Sequence, residues 1–466
     1  MQVQRSFFRR ALLAAIVGAA LTACGGPPAP GSSLAPTTAS TPVVTSTTAP
    51  SAATREPAAA TAASDATTTI PPATDTPATT ETTAATASVI TPAETSAATT
   101  ATAAPDVTAT AATGVLPRPL LFLREGDIVR LERDGTTVTP ITAEQPAQPD
   151  ILAVTTFDVS PVDGSLVYIV QASEGNDLVR TDADGKQRTV LLSKAYINNP
   201  RWSPDGTQIA LQFFPPPEPE AGPAAGVYLL PANGGEPELL QPNDPTDPAN
   251  PNPEARGYQP HAWSPDGTKL LLAAYAQGVE MCSAMVKDLA TGNLVPIQAP
   301  EGMVSGCASG QWSPDGRTIY INMARPGPQP PVPGLWQADP TTGAVTPFIQ
   351  GEFENGFQLV INPRPLEDGG VYAFVATVSE LPDPFGGERV QYKLFQGSQT
   401  DGLFLRDETF PVSGQALWAP DNSGVVADLA QEGGGVVRAW IPIDGGPVVE
   451  LDTNVGEEKR WAGGDS

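Results

Sequence analysis

From residue 115 onward, short runs of alternating apolar and polar residues are separated by clusters of turn-forming residues. Examples are the runs Thr207–Phe213, Thr268–Tyr275 and Thr318–Met323, each of which follows a Pro-Asp-Gly sequence. Alternation with a period of two is typical of β-strands, because successive side chains of a strand point to opposite faces of the sheet. The pattern therefore predicts an all-β structure built from many short strands.

One five-residue phrase recurs before these strands. It reads Trp202-Ser203-Pro204-Asp205-Gly206, Trp263-Ser264-Pro265-Asp266-Gly267 and Trp312-Ser313-Pro314-Asp315-Gly316, and less complete copies occur at Val159-Ser160-Pro161, Ile361-Asn362-Pro363, Trp418-Ala419-Pro420-Asp421 and Trp461. Proline presets φ at the first central position of a turn, aspartate bonds nearby backbone, and glycine takes the left-handed position. The phrase therefore predicts a hairpin, and the tryptophan before it is expected to pack between neighbouring sheets.

A second turn signal gives a count of repeats. It occurs seven times, at Asp134-Gly135, Asp184-Gly185, Asn233-Gly234, Thr291-Gly292, Thr342-Gly343, Asp401-Gly402 and Asp444-Gly445. Repeats of four short antiparallel strands are the sequence signature of propeller blades. The sequence predicts a seven-bladed β-propeller over residues 115–466, with six blades as the alternative if the end copies do not form blades.

The two ends of the repeat array are complementary. The first unit, Leu120–Thr142, has three predicted strands and lacks the tryptophan strand, whereas a spare tryptophan strand surrounds Arg460 and Trp461. We therefore expect the C-terminal strand to complete the first blade and close the ring.

The Trp-Ser-Pro-Asp-Gly phrase followed by an apolar strand resembles the repeat of TolB-type propellers, which also occurs in the propeller domains of prolyl oligopeptidase relatives. The resemblance covers residues 115–466 and implies the fold, but propellers of this type serve many functions. We find no separate N-terminal domain of the kind that TolB carries and no hydrolase domain of the kind that the peptidases carry, so the resemblance does not imply a Tol-system role.

Residues 1–24 have the composition of an export signal. Arg5, Arg9 and Arg10 precede an apolar run that ends in Leu21-Thr22-Ala23-Cys24, and the run is too short for a typical membrane span. The last four residues resemble the lipobox of bacterial lipoprotein precursors. That resemblance implies cleavage before Cys24, acylation of Cys24, and a location in the cell envelope outside the cytoplasm; a simple secretory peptide is the alternative.

Residues 25–114 consist almost entirely of threonine, alanine, serine and proline. A segment of this composition buries too little apolar surface to offset the entropy lost on ordering, so we expect a disordered tether. Its composition also resembles that of O-glycosylated stalks.

Charge and residue counts exclude several classes of function. The chain has 51 acidic and 25 basic residues and a formal net charge of −26. Such a charge repels phosphate backbones and anionic lipid surfaces, so we expect no nucleic-acid partner, and membrane contact only through the lipid on Cys24. The one histidine, His261, leaves no catalytic triad and no His/Cys metal cage, and we expect no cofactor, no metal and no catalysis.

Two cysteines remain once Cys24 is assigned to lipid. Cys282 precedes the Thr291-Gly292 turn and Cys307 precedes the Trp312 strand. In an oxidising compartment such a pair favours a disulfide, with two free thiols as the alternative.

Four proline-rich insertions are expected on one face of the ring, opposite the Pro-Asp-Gly turns: Pro215–Gly222, Pro242–Pro260, Pro326–Pro333 and Pro382–Gly387. Loops longer than about 12 residues are uncommon unless they are functional or disordered. The candidate binding residues at their edges are Phe214, Tyr258, His261, Phe385 and Arg389.

These observations favour a non-catalytic binding or scaffolding module for a protein, a peptide or an envelope polymer, as a monomer or as part of an envelope complex. The alternative is a glycan-acting or other hydrolytic enzyme with two carboxylates about 5 to 10 Å apart at the channel mouth. Unselected drift in loop length is the alternative explanation of the insertions.

Overall fold

A computed structural model describes residues 114–148, 151–214, 223–245, 255–276, 282–305, 310–324, 334–353, 356–380, 389–398, 401–451 and 458–464. Several predictions lie outside these residues: the signal sequence with Cys24, the tether, Cys307, Phe385, and the insertions Pro215–Gly222, Pro326–Pro333 and Pro382–Gly387. Within the described residues, no helix is long and apolar enough to span a membrane.

The described residues form antiparallel sheets that repeat along the chain. Blade 1 begins with β1 (Leu120–Arg124), β2 (Asp127–Leu131) and β3 (Val138–Pro140). Blade 2 contains β4 (Val154–Val159), β5 (Leu166–Gln171), β6 (Asn176–Thr181) and β7 (Thr189–Ala195). Blade 3 contains β8 (Ile197–Trp202), β9 (Gln208–Phe213), β10 (Gly226–Pro231) and β11 (Glu238–Pro242). Blade 4 contains β12 (Arg256–Trp263), β13 (Lys269–Ala276), β14 (Cys282–Asp288) and β15 (Leu294–Pro296).

The remaining blades depart slightly from this plan. Blade 5 contains β17 (Gln311–Trp312), β18 (Ile319–Ile321), β20 (Gly334–Ala338) and β21 (Val345–Gln350), and β16 (Val304–Ser305) pairs with β19 (Met323–Ala324) beside it. Blade 6 has five strands, β22 (Glu352–Phe353), β23 (Gly356–Pro365), β24 (Val371–Val378), β25 (Tyr392–Gly397) and β26 (Gly402–Phe410). Blade 7 contains β27 (Leu417–Trp418), β28 (Gly424–Ala430), β29 (Val436–Pro442) and β30 (Val449–Glu450).

The last strand, β31 (Lys459–Trp461), returns to blade 1. It pairs antiparallel with β1, so that Trp461 lies opposite Leu120 and Lys459 lies opposite Phe122. The predicted closure of the ring by the C-terminal strand is therefore confirmed. The fold is a seven-bladed propeller, and the six-bladed alternative is wrong.

Seven buried clusters fill the seven junctions between neighbouring blades. Alternation along each strand sends side chains to two of them: in β13, Leu270 and Leu272 pack against blade 3, whereas Leu271 packs against blade 5. Because both faces of a blade are covered, the core consists of seven wedges around an axis.

The recurring phrase forms the predicted hairpin turn. In blade 3 the Ser203 hydroxyl donates to Asp205 Oδ1 at 2.6 Å, the Thr207 amide donates to the same oxygen at 3.0 Å, and Gly206 has φ of 67°. These hydrogen bonds lower the pKa of the Asp205 carboxyl. Blades 4 and 5 repeat the serine–aspartate bond, so the turn is a local unit that depends little on its surroundings.

Antiparallel order places the connections on two unlike faces. The turns between first and second strands and between third and fourth strands lie together on what we call the short-turn face. The opposite, long-loop face carries the connections between second and third strands and between blades. Both described chain ends lie on the short-turn face, since the Leu116 amide donates to the Arg133 carbonyl and Gly464 packs beside Pro161.

Candidate binding face and axial channel

In each blade one edge strand of the four-strand plan lies nearest the axis, and we call these the inner strands: β31, β4, β8, β12, β17, β23 and β27. In blade 6 the two-residue strand β22 precedes β23. Inner strands of neighbouring blades contact one another, as β31 contacts β4 and β8 contacts β12. Polar side chains on the inner strands can therefore bond from blade to blade around the channel.

The repeated tryptophans carry one set of these bonds. Four of the five indole N–H groups donate to a backbone carbonyl of the preceding inner strand: Trp263 to Arg201, Trp312 to Ala262, Trp418 to Asn362 and Trp461 to Trp418, at 2.7 to 3.2 Å. The sequence predicted the packing role of these residues but not this polar one. Trp202 differs, because its buried Nε1 has no hydrogen-bond partner among the described residues.

A second set of contacts runs in the opposite direction around the ring. Arg460 Nε lies 3.3 Å from Asp158 Oδ1, and Asp158 Oδ2 accepts from the Trp202 amide at 2.7 Å. Arg201 Nε then donates to the His261 carbonyl at 3.2 Å. The side chain one residue before the tryptophan position in blades 1, 2 and 3 therefore reaches forward to the next blade.

His261 lies in this ring of contacts rather than on the surface of a loop. Its Nε2 is 3.2 Å from the Gly310 carbonyl, so Nε2 carries the hydrogen and donates it. Burial lowers the pKa of His261 to about 4, and the positive charges of Arg201 and Arg460 add to that effect. The imidazole is therefore neutral at physiological pH and links blades 4 and 5.

The carboxylates described in the channel also join blades. Glu458 accepts from the Thr156 hydroxyl at 3.1 Å and from the Phe157 amide at 3.2 Å, and Arg460 lies 3.4 Å from the same carboxylate. Asp158 is held by Arg460 and Trp202. The pair connects blade 1 with blades 2 and 3, and this arrangement gives both groups a structural role.

Two aromatic side chains are exposed at the long-loop face of blade 3, and we call them the aromatic patch: Tyr196 and Phe214. The Phe214 amide donates to the Tyr196 carbonyl at 2.7 Å, which places the two side by side. Tyr275 is exposed at the same face of blade 4, on the side of the sheet that faces blade 5. Of the predicted binding residues, Phe214 thus lies on the predicted face, and Arg389 is also exposed there.

Tyr258 differs from its prediction. It is only 3% exposed, within β12, and its hydroxyl donates to Asp244 Oδ1 at 3.2 Å. The predicted loop Pro242–Pro260 in fact ends where β12 begins at Arg256. The tyrosine ring therefore belongs to the core between blades 3 and 4 and is not available to a partner.

The sequence analysis missed a buried ionic cluster at the junction of blades 7 and 1, which we call the seam cluster. Arg438 donates to both oxygens of Asp428 at 2.6 and 2.9 Å, and Lys459 Nζ donates to Asp428 at 3.0 Å. The cations are 1% and 5% exposed. Burial lowers the pKa of Lys459 to about 8, and the positive charge of Arg438 adds to the effect. The signal in the sequence is a charged residue within each apolar run of the two strands.

Cys282 is disulfide-bonded in the structure. It begins β14, and its predicted partner, Cys307, lies outside the described residues, so the pairing stays a prediction. The described residues contain no group of three or more His, Cys, Asp or Glu side chains arranged to hold a metal ion.

Comparison with known sequences finds a distant relative of part of the chain. No protein-family model matches the chain. An uncharacterized protein of Agrobacterium fabrum is 28% identical over 221 residues, which cover 47% of this chain and 65% of that protein. The chain therefore spans just under two thirds of the length of this relative.

Solved structures with a similar arrangement include two TolB proteins and a peptidase. A TolB candidate from Agrobacterium tumefaciens is 20% identical with a TM-score of 0.37, covering 66% of this chain and 95% of that one. TolB from Acinetobacter baumannii is 19% identical with a TM-score of 0.39, covering 74% and 81%. A structure from a study of two prolyl endopeptidases is 11% identical with a TM-score of 0.49, covering 73% and 51%. At these values the likeness does not extend to function.

Proposed function

We propose that this chain is a lipid-anchored protein of the cell envelope whose propeller binds a protein, a peptide or an envelope polymer through its long-loop face. The observation that carries the proposal is the structural difference between the short-turn face and the long-loop face. Tight, internally bonded turns cover the short-turn face, whereas the aromatic patch lies on the other, together with the strand ends that the longest stretches of sequence connect. Exposed apolar surface bordered by polar groups is typical of interaction sites.

The position of the chain ends supports the same orientation. Residue 114 leaves the propeller on the short-turn face, beside Arg133. If Cys24 carries lipid, residues 25–113 connect that lipid to the short-turn face, which is the face opposite the proposed binding face.

Site-specific photo-crosslinking of the full chain in cells tests the proposed face. We expect a p-benzoylphenylalanine that replaces Phe214 to form a discrete adduct with a binding partner. The matched control replaces Val162, which is 65% exposed on the short-turn face, and should give none. Equal adducts at both positions, or none at Phe214, would contradict the proposal.

Detergent-phase partitioning tests the anchor separately. We expect the wild-type chain to enter the detergent phase of Triton X-114, and Cys24→Ser to remain in the aqueous phase because it lacks the acylated thiol. Partitioning of both proteins into the same phase would contradict the proposed lipid anchor. The crosslinking test of the binding face does not depend on this result.

A further inference from the structure

One position on every inner strand lies directly before the tryptophan or its equivalent. Its partners on the second strands, such as Leu121, Ala210 and Leu271, all lie in the junction with the following blade. Side chains that pair directly across two strands point to the same side of the sheet. Side chains at this position therefore lie at the inner edge of their blade, on the side of the next blade, and border the axial channel.

Arginine is enriched at this position. The whole chain has 51 acidic and only 25 basic residues, yet three of the seven positions are arginine and one is aspartate. In blade 6 the position is Arg364, because it pairs with Tyr372 in the junction with blade 7. The position therefore brings positive charge into the channel wall of an acidic protein. From blade 1 to blade 7 the residues are Arg460, Asp158, Arg201, Ala262, Gln311, Arg364 and Leu417.

Two of these arginines converge on His261. Arg201 Nε donates to the His261 carbonyl at 3.2 Å. Arg460 Nε lies 3.3 Å from Asp158, whose other oxygen accepts from the amide of Trp202, the residue after Arg201. Burial lowers the pKa of His261, and the positive charges of Arg201 and Arg460 lower it further. Both guanidiniums therefore lie within electrostatic range of the same imidazole.

Irregular backbone orients two members of this group. β8 shifts register just before Arg201, and Asn199 within that shift has φ of 51°, although a residue before proline normally adopts an extended conformation. β12 shifts register at His261. Bulges of this kind direct side chains beside active sites, and strained residues cluster where ligands bind.

His261 adds a hydrogen-bond acceptor to the two guanidinium donors. Its Nε2 donates to the Gly310 carbonyl, so the neutral imidazole keeps a lone pair on Nδ1. Within the described part of the propeller, no donor bonds that nitrogen. The residue is half-buried and lies on an inner strand, so its exposed part borders the channel.

We propose that Arg201, Arg460 and His261 bind hydrogenphosphate in the axial channel. Guanidinium groups donate to the oxygens of phosphate in a fixed fork geometry, and the hydroxyl of the ion donates to Nδ1. Sulfate has no hydrogen to donate at neutral pH. The net charge of −26 opposes polymeric anions, which favours a small ion. The site lies inside the channel near its short-turn end and is separate from the proposed binding face.

Nuclear magnetic resonance of the full chain tests the inference, because His261 is the only histidine and its Hε1 signal reports this site alone. We expect a saturable shift of that signal on titration with sodium phosphate at pH 7 and constant ionic strength. Sodium sulfate should bind about 3- to 10-fold more weakly, because it leaves Nδ1 without a donor.

Arg201→Gln should lower phosphate affinity about 10- to 100-fold, since a charge-assisted hydrogen bond is lost. The matched control is Arg317→Gln, which removes the same charge from an exposed side chain on the short-turn face and should bind like wild type.

Three results would overturn the inference: no shift with phosphate, sulfate affinity equal to or above that for phosphate, or unchanged affinity in Arg201→Gln. If Arg201→Gln does not fold, the comparison of phosphate with sulfate in the wild-type chain decides alone. The crosslink at Phe214 is independent of all these outcomes, so failure here leaves the proposed binding face intact.

Discussion

At the residue scale, the tryptophans of the repeat differ in one atom's surroundings. Trp461 is fully buried and its indole donates to the Trp418 carbonyl at 2.7 Å. Trp202 is also buried, at 5% exposure, but its Nε1 has no partner among the described residues. The two positions share a motif and a packing role. Comparing them therefore separates the contribution of the indole hydrogen bond to stability from the contribution of the buried ring.

We predict that Trp461→Phe destabilises the propeller more than Trp202→Phe does. Both changes remove similar volume, but only the first removes a hydrogen bond and leaves a buried carbonyl unpaired, which costs roughly 1–3 kcal/mol more. Urea unfolding of the two full-length variants measures the difference. Equal losses of stability would show that the indole bond contributes nothing.

Residue-scale predictions from sequence succeeded where the chemistry is local. The Ser203–Asp205–Gly206 turn depends only on neighbours along the chain, and the structure contains it as expected. Tyr258 lies elsewhere than predicted. The prolines and asparagines around it indicated a loop, whereas β12 begins two residues before it and its ring is buried. The hydrogen bond from Trp461 to Trp418 could not be predicted from the sequence either, because it depends on a neighbouring blade.

At the element scale, β31 is held by charge as well as by backbone pairing. Three residues of strand give few ladder bonds, and the seam cluster adds Lys459 to a bidentate Arg438–Asp428 pair. Two buried cations share one carboxylate, so the cluster carries an excess positive charge. That excess, together with burial, is the reason that Lys459 releases its proton easily.

We predict that stability rises as pH increases from about 8 toward 10.5. Over that interval the unfolded chain still holds the Lys459 proton, whereas the folded protein, with a pKa of about 8, has released it. Removing hydrogen ions therefore favours the folded state. Urea midpoints of wild type and Lys459→Met across this range measure the effect, and the variant should show a smaller rise.

The same cluster predicts opposite effects for its two kinds of member. Lys459→Met leaves the Arg438–Asp428 pair balanced and should cost little at neutral pH. Asp428→Asn leaves two buried cations without a carboxylate and should cost about 3–5 kcal/mol. Urea unfolding at pH 7 compares them, and a larger loss in Lys459→Met than in Asp428→Asn would contradict this account.

At the scale of the whole molecule, closure of the ring depends on one contact between distant parts of the chain, the pairing of β31 with β1, which we call the joint. Seven wedges share the core, and six junctions join blades consecutive in sequence, whereas the seventh needs β31 beside β1. Turn spacing predicted the number of blades and this joint, because both follow from counting strands. The side chains that line the channel were not predictable, since they come together only when the ring closes.

We predict that a chain ending at residue 457 loses much of its stability. It lacks the buried Trp461, whose side chain alone is worth about 3–5 kcal/mol, together with the Glu458 contacts to blade 2. Urea unfolding and limited proteolysis measure the loss. A chain ending at residue 464 is the control and should match wild type; equal stability of both truncations would disprove the role of the joint.

Placing β31 against β1 also sets an order of events during synthesis. The ribosome makes Leu120 and Phe122 long before Lys459 and Trp461 emerge, so the apolar edge of blade 1 has no permanent partner while blades 2 to 6 are translated. Folding of such a chain finishes after translation has passed residue 461. Chaperones that shield exposed strand edges are therefore expected to matter most for the first blade, the part of the propeller that is synthesised first.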